Sequence, residues 1–156
     1  MEGRYVRSLY TNIATVGNIG SGVQNLREYL LQPKLFKQDG DAVKVRNTIK
    51  LADNANNKLF QVWVGDNSRY YSGVIIGNST KQVVCETTII RKGGNVLGFS
   101  TFVVSDGTIP PIEGGAEGNF NFDEEISVRL VAEVVGEDID NNVLSDFIEI
   151  TFIPAS

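Results

Sequence analysis

The chain has 156 residues, 42% hydrophobic and 21% charged, and carries a formal net charge of −5. That length predicts one domain, residues 1–156, burying about 70% of its unfolded surface, and the composition is that of a packed globular protein, not a disordered one. Acids outnumber bases 19 to 14 with no run of Lys or Arg, which excludes a nucleic-acid binder that works by neutralising phosphates.

No histidine occurs. That removes the commonest general base, the commonest metal ligand and every Ser-His or Cys-His nucleophile pair. The expectation is a non-enzyme with no cofactor and no catalytic or metal-binding residues. Cys85, the single cysteine, lies in an apolar, β-branched run and reads as a small buried hydrophobe, with no intrachain disulfide open to it. The N-terminus lacks the continuous apolar run of a secretory signal, and no apolar stretch approaches the roughly 20 residues that span a bilayer. A soluble chain made in a cytoplasm, with no membrane partner, is expected.

In chain order, Met1–Asn12 comes first, a basic-aromatic segment on an acidic protein. It reads either as the first strand or as an N-terminal arm ordered by a partner through an exposed sheet edge or an acidic surface. Arg4, Tyr5, Arg7 and Tyr10 are its candidate partner-binding residues. Leu9–Val16 and Asn25–Gln32 read as strands, although Leu26, Tyr29 and Leu30 also recur at a spacing that would suit a turn or two of helix. The Asp39-Gly40 turn then opens Ala42–Leu51. There Val43, Val45, Ile49 and Leu51 share one face, with Lys44, Arg46, Thr48 and Lys50 on the other, the period of a half-buried strand.

The connector that follows is rich in Asn and Asp, which tolerate left-handed backbone and bond their own neighbours. Asp53, Asn54, Asn56 and Asn57 therefore predict a self-capped corner, with a short helical connection over Asp53–Asn57 as the other option and Lys58 starting the next strand. Lys58–Gly65, Tyr70–Ile76, Gln82–Arg91 and Val96–Val104 continue the series, with Gly93-Gly94-Asn95 as a hairpin turn. Trp63, Tyr70 and Tyr71 are the aromatics best placed to reach a surface.

Pro110–Asn121, dense in Gly and Pro, reads as a long exposed loop. Asp123-Glu124-Glu125 reads as a water-facing loop end. In Ile126–Val135 the set Ile126, Val128, Leu130, Ala132 and Val134 faces inward, and Ile148, Ile150 and Phe152 do so near the end. Between them lies the densest acidic cluster, Glu137 to Asn142. Its alternating oxygens suit calcium, but it lacks the glycine and terminal glutamate of the twelve-residue calcium loop and reads as a solvated turn. Neither Gly17–Gly22 nor Gly114–Gly118 has the context of a phosphate loop.

About nine strands with regular turn punctuation predict an all-β fold, an antiparallel β-sandwich or barrel whose sheet has one wet face.

One stretch carries a resemblance. Leu35-Phe36, the Asp39-Gly40-Asp41 turn, Val43–Leu51, the connector Ala52–Lys58 and Leu59–Gly65 together resemble a module of tailed-bacteriophage virion proteins. The closest match is Asp53-Asn54-Ala55-Asn56-Asn57-Lys58; Arg46-Asn47-Thr48 departs from the small aromatic-or-Gly stretch usual there. The resemblance covers about a quarter of the chain. It implies a jelly-roll-like sandwich displayed on a particle, usually as a homotrimer. The expected function is that of a structural virion protein of the head decoration or cement type. Such a protein binds the major capsid protein on the outside of the capsid and bridges its subunits. The alternative is a tail- or head-fibre module that recognises host glycans through Trp63, Tyr70 and Tyr71, with calcium at Asp138 and Asp140.

Overall fold

The computed structural model describes residues 4–65, 68–76, 81–93, 95–104 and 112–156. Among them there is no helix, and eleven strands make two antiparallel sheets packed face to face. The strands are β1 (Arg7–Asn12), β2 (Val16–Gly17), β3 (Gly22–Leu31), β4 (Ala42–Leu51), β5 (Asn57–Val64) and β6 (Ser68–Ile76). They continue with β7 (Lys81–Lys92), β8 (Asn95–Val104), β9 (Ile112–Asn119), β10 (Ile126–Val135) and β11 (Val143–Ile153). The larger sheet runs β1-β11-β4-β7-β8-β9, with β2 also on β11; the smaller runs β3-β10-β5-β6. The fold is an antiparallel β-sandwich, one of the two all-β architectures that the strand pattern predicts and the one that the resemblance implies.

Period two places the core as expected. Val43, Val45, Ile49 and Leu51 of β4 are at most 2% exposed, and so are Val128, Leu130, Ala132 and Val134 of β10. Each fully buried side chain of this kind contributes about 1.5–3 kcal/mol relative to exposure. These residues form two clusters. One surrounds Ile49, Phe60 and Leu130; the other, toward the N-terminal end, surrounds Val45, Ile89 and Ile150. Between them the inward-facing Asn47 of β4 is fully buried, and its side-chain amide has no hydrogen-bond partner.

Four details depart from the sequence expectations. Asn25–Leu31 is strand throughout. Its helix-like spacing comes from a register shift against Leu130 and Val131 of β10, so Leu26 and Arg27 are both buried and the inward phase changes there. Pro110–Asn121 is not all loop: β9 pairs with β8 from Asn119 to Ile112. Ladder bonds come from the backbone, so glycines can hold an edge position without an apolar pattern to announce it. β2 adds a further short strand, so the strands outnumber the nine expected. Finally, residues 53–55 form bends, not a helix, and β5 starts at Asn57, one residue earlier than expected.

That corner is capped as the Asn/Asp content predicts, but Lys58 contributes more than a strand start. Its side chain is fully buried, and Nζ donates to Asn54 O, Asn54 Oδ1 and Asn56 O at 3.1, 2.9 and 3.0 Å. Burial pushes its ammonium below the usual lysine value, with Asp53 pulling the other way. Asn56 then bonds Glu137 twice, Nδ2 to its carbonyl and Oδ1 from its amide.

Candidate docking surface

The N-terminal segment is not a free arm. β1 pairs with β11, Arg7 opposite Phe152, so the arm expected over residues 1–12 is, in its second half, an edge strand. What precedes it is held by Asp41, whose side chain is fully buried beside Gly40, a glycine at φ +89°. Asp41 Oδ2 accepts the amides of Lys37 (2.7 Å) and Gln38 (3.0 Å) and a guanidinium hydrogen of Arg4; Oδ1 accepts the Ala155 amide at 3.0 Å. One carboxylate thus ties the chain's N-terminal segment, its C-terminal segment and the β3–β4 loop together. Burial alone would push this acid up, but Arg4 and the amides of Ala155, Gln38 and Lys37 outweigh it and hold it below the usual range.

Around this staple lies an open pocket of about 610 Å³ lined by Arg4, Tyr5, Arg7, Lys34, Leu35, Lys37 and Phe152. Arg4 and Arg7 each place the guanidinium carbon 5.7 Å from the Phe152 ring centre. Lys34 is set by a left-handed backbone (φ 62°), with its amide bonded to Phe122 O at 2.7 Å. Among the described residues, none of Arg7, Lys34 and Lys37 takes part in an ion pair. Tyr5 is 70% exposed. A second pocket shares Lys34 and Lys37 and continues over Phe36, Phe120 and Phe122, where Arg91 lies 4.4 Å above the Phe122 ring. The surface therefore combines three cations unpaired among the described residues, Arg7, Lys34 and Lys37, with aromatic rings, while Arg4 and Arg91 are paired with Asp41 and Asp39. That chemistry suits carboxylates next to apolar groups.

Three of the four sequence candidates, Arg4, Tyr5 and Arg7, meet here. Tyr10 does not. It stacks on Tyr29 at 5.0 Å and accepts Asn12 Nδ2 at 2.8 Å, closing the rim between β1 and β3. Lys34 and Lys37 carry no motif of their own, and Phe152 reads only as an inward-facing strand residue, because the β3–β4 loop and β11 that supply them are far apart in the chain. The Asp39-Gly40-Asp41 turn was the one local signal near them.

Other candidates fall elsewhere. Cys85 is fully buried against Thr87, and burial pushes its thiol up to about 12, as an inert hydrophobe requires. Trp63 is half-buried, with the Arg129 guanidinium 5.3 Å from its ring centre and Nε1 donating to Gln61 Oε1. The side chains of Tyr70 and Tyr71 lie outside the described residues. Asp138 and Asp140 each accept a backbone amide, from Ser21 and Gly20, at 2.7 Å. No group of three metal-ligating side chains occurs among the described residues, and none of the helices there, there being none, crosses a membrane.

No family model and no curated protein matches the chain. Among solved structures it is similar, at 7% identity, to the CBM2 module of the evolved Dit of Lactobacillus casei BL23 phage J-1. The match covers 97% of this chain and 98% of that one, with a TM-score of 0.49. Peanut lectin in complex with a nine-residue peptide matches at 7% identity over 98% and 100% of the two chains, TM-score 0.42. The lectin UEA-II complexed with galactose matches at 7% over 96% and 92%, TM-score 0.41. The fold of this chain rests on its own strand pairings.

Proposed function

We propose that this chain is a structural protein of a tailed-phage particle, acting by adhesion and not by catalysis. In that role it is a head decoration or cement protein that binds the outside of the capsid and bridges neighbouring capsid-protein subunits. The observation that supports adhesion is the Arg4–Phe152 pocket, where Arg7, Lys34 and Lys37, without acidic partners among the described residues, lie beside the exposed Tyr5 on a protein of net charge −5. The link to phage particles is supported by the resemblance over β4, the connector and β5. Exposed charge pairs are individually weak, about 0–1 kcal/mol, so holding a shell together needs many copies acting at once, as in a trimeric decoration protein. Capsids lacking the protein are expected to leak or expand at a lower temperature than complete ones. Equal heat stability of the two would remove the cement role.

The glycan-binding alternative requires a sugar platform that includes Trp63, whose ring here is covered by Arg129. Its separate signature is glycan-array binding that a chelator abolishes.

A further inference from the structure

The sandwich's other end has the opposite character. The loops at residues 18–21, 52–56 and 136–142 carry Asp53, Glu137, Asp138 and Asp140, all exposed, and no lysine or arginine. Exposed apolar side chains accompany them: Ile19 is 78% exposed, Val23 65%, Val135 57% and Ile139 37%. The tip is one body. Besides the two aspartate caps, Asn18 Nδ2 donates to Gly20 O (2.7 Å) and Ile139 O (3.2 Å), while Asn18 O accepts the Asn141 amide. Both isoleucines and both aspartates are thereby fixed relative to each other.

We propose that the pocket's partner is this tip on a second copy of the chain, so that copies join head to tail. Carboxylates of Glu137, Asp138 and Asp140 would face Arg7, Lys34 and Lys37, and Ile19 and Ile139 would meet the exposed Tyr5. The inference rests on reading the pocket end as a docking surface and names what docks there. Charge complementarity between the pocket and the tip carries it: the pocket lining holds Arg4, Arg7, Lys34 and Lys37 and no acid, beside the exposed Tyr5, and the tip loops hold acids and no base, beside exposed isoleucines. A contact between different patches is heterologous, so it closes into a ring or extends, according to the rotation between copies. Closure after three copies gives a trimer.

Two double variants test this by sedimentation velocity. Arg7→Gln with Lys34→Gln strips the pocket of two cations; Ile19→Arg with Glu137→Lys blocks the tip, and all four side chains are exposed. Wild type is expected to assemble at about 0.01 M salt and to dissociate at about 1 M, where the screening length falls from roughly 30 to 3 Å. Each variant alone stays monomeric, and an equimolar mixture forms heterodimers and nothing longer, because one matched pair of ends remains. Assembly of either variant like wild type, or a mixture that stays monomeric, overturns the proposal. So does a wild type that is monomeric at low salt. If that wild type still loads onto capsids and the pocket variant does not, only the self-contact falls. If the pocket variant loads normally, the docking surface falls as well.

Discussion

Asp41 shows how much a single side chain organises. Its carboxylate is held below the usual range, so the folded state gains stability from it above the ordinary carboxylate value and loses that gain as pH falls through the lowered one. Asp41→Asn should therefore melt below wild type at pH 7, with the gap closing toward about pH 2. A constant gap across that range in thermal melts would contradict the account. Asn47 points the other way. A buried amide left without partners costs about 1–3 kcal/mol, so Asn47→Val, apolar, β-branched and closer to Asn in size than Leu, should raise Tm. At about 2–4 °C per kcal/mol for a domain of this size, a rise of a few degrees is expected; a fall would mean the amide is satisfied. Neither role was legible from sequence. An Asp in an Asp-Gly-Asp turn announces local bonding to residues 37 and 38, but not the meeting with Arg4 and Ala155, which fold topology alone brings about. Asn47 sits at an inward β4 position, where alternation predicts burial and says nothing about partners.

At the scale of elements, the strands with clean alternation, β4, β10 and β11, were readable because each has one buried face. β3 and β9 were obscured for separate reasons. The β3 bulge shifts phase midway, and its extra buried residue is accommodated by Arg27, whose guanidinium bonds Ser145 Oγ (2.7 Å), Ser145 O (2.9 Å) and Ala14 O where β11 has its own register shift. β9 is held by backbone pairing in a Gly-rich segment with no apolar rhythm. The connector was legible as a self-bonding corner, yet its ties to the Glu137–Asn142 loop are long-range and left no local trace. Asn56 makes two of them, and its Oδ1 occupies the space a side chain on Gly136 (φ +140°) would need. Asn56→Ala should cost roughly 1–3 kcal/mol by stranding the Glu137 amide, and hydrogen exchange at that amide should accelerate. Unchanged exchange would show that the corner is held by Lys58 alone.

For the whole molecule, the acids of the tip are spent on backbone amides and surface charge, with no cation needed to hold the loops. Added calcium or a chelator should leave Tm unchanged, and a chelator-induced drop would reinstate the cation site at Asp138 and Asp140. The all-β class followed from the count and spacing of strands, and the choice of sandwich over barrel came with the resemblance. The cationic lining of the pocket followed from neither, since Arg4, Lys34 and Phe152 converge from distant parts of the chain. The adhesive role proposed for the chain would accordingly be a property of the assembled end, and under that proposal capsid loading should weaken steeply with salt.

The meeting of both chain termini at Asp41 has a mechanical side. Arg7 and Phe152 face each other at the same end of the antiparallel β1–β11 pair. Force applied to the two termini would peel that ladder one rung at a time. Force running from tip to pocket along the strands would instead strain many rungs together. The sandwich is thus built to resist force along its strands and to unzip under force on the β1–β11 edge.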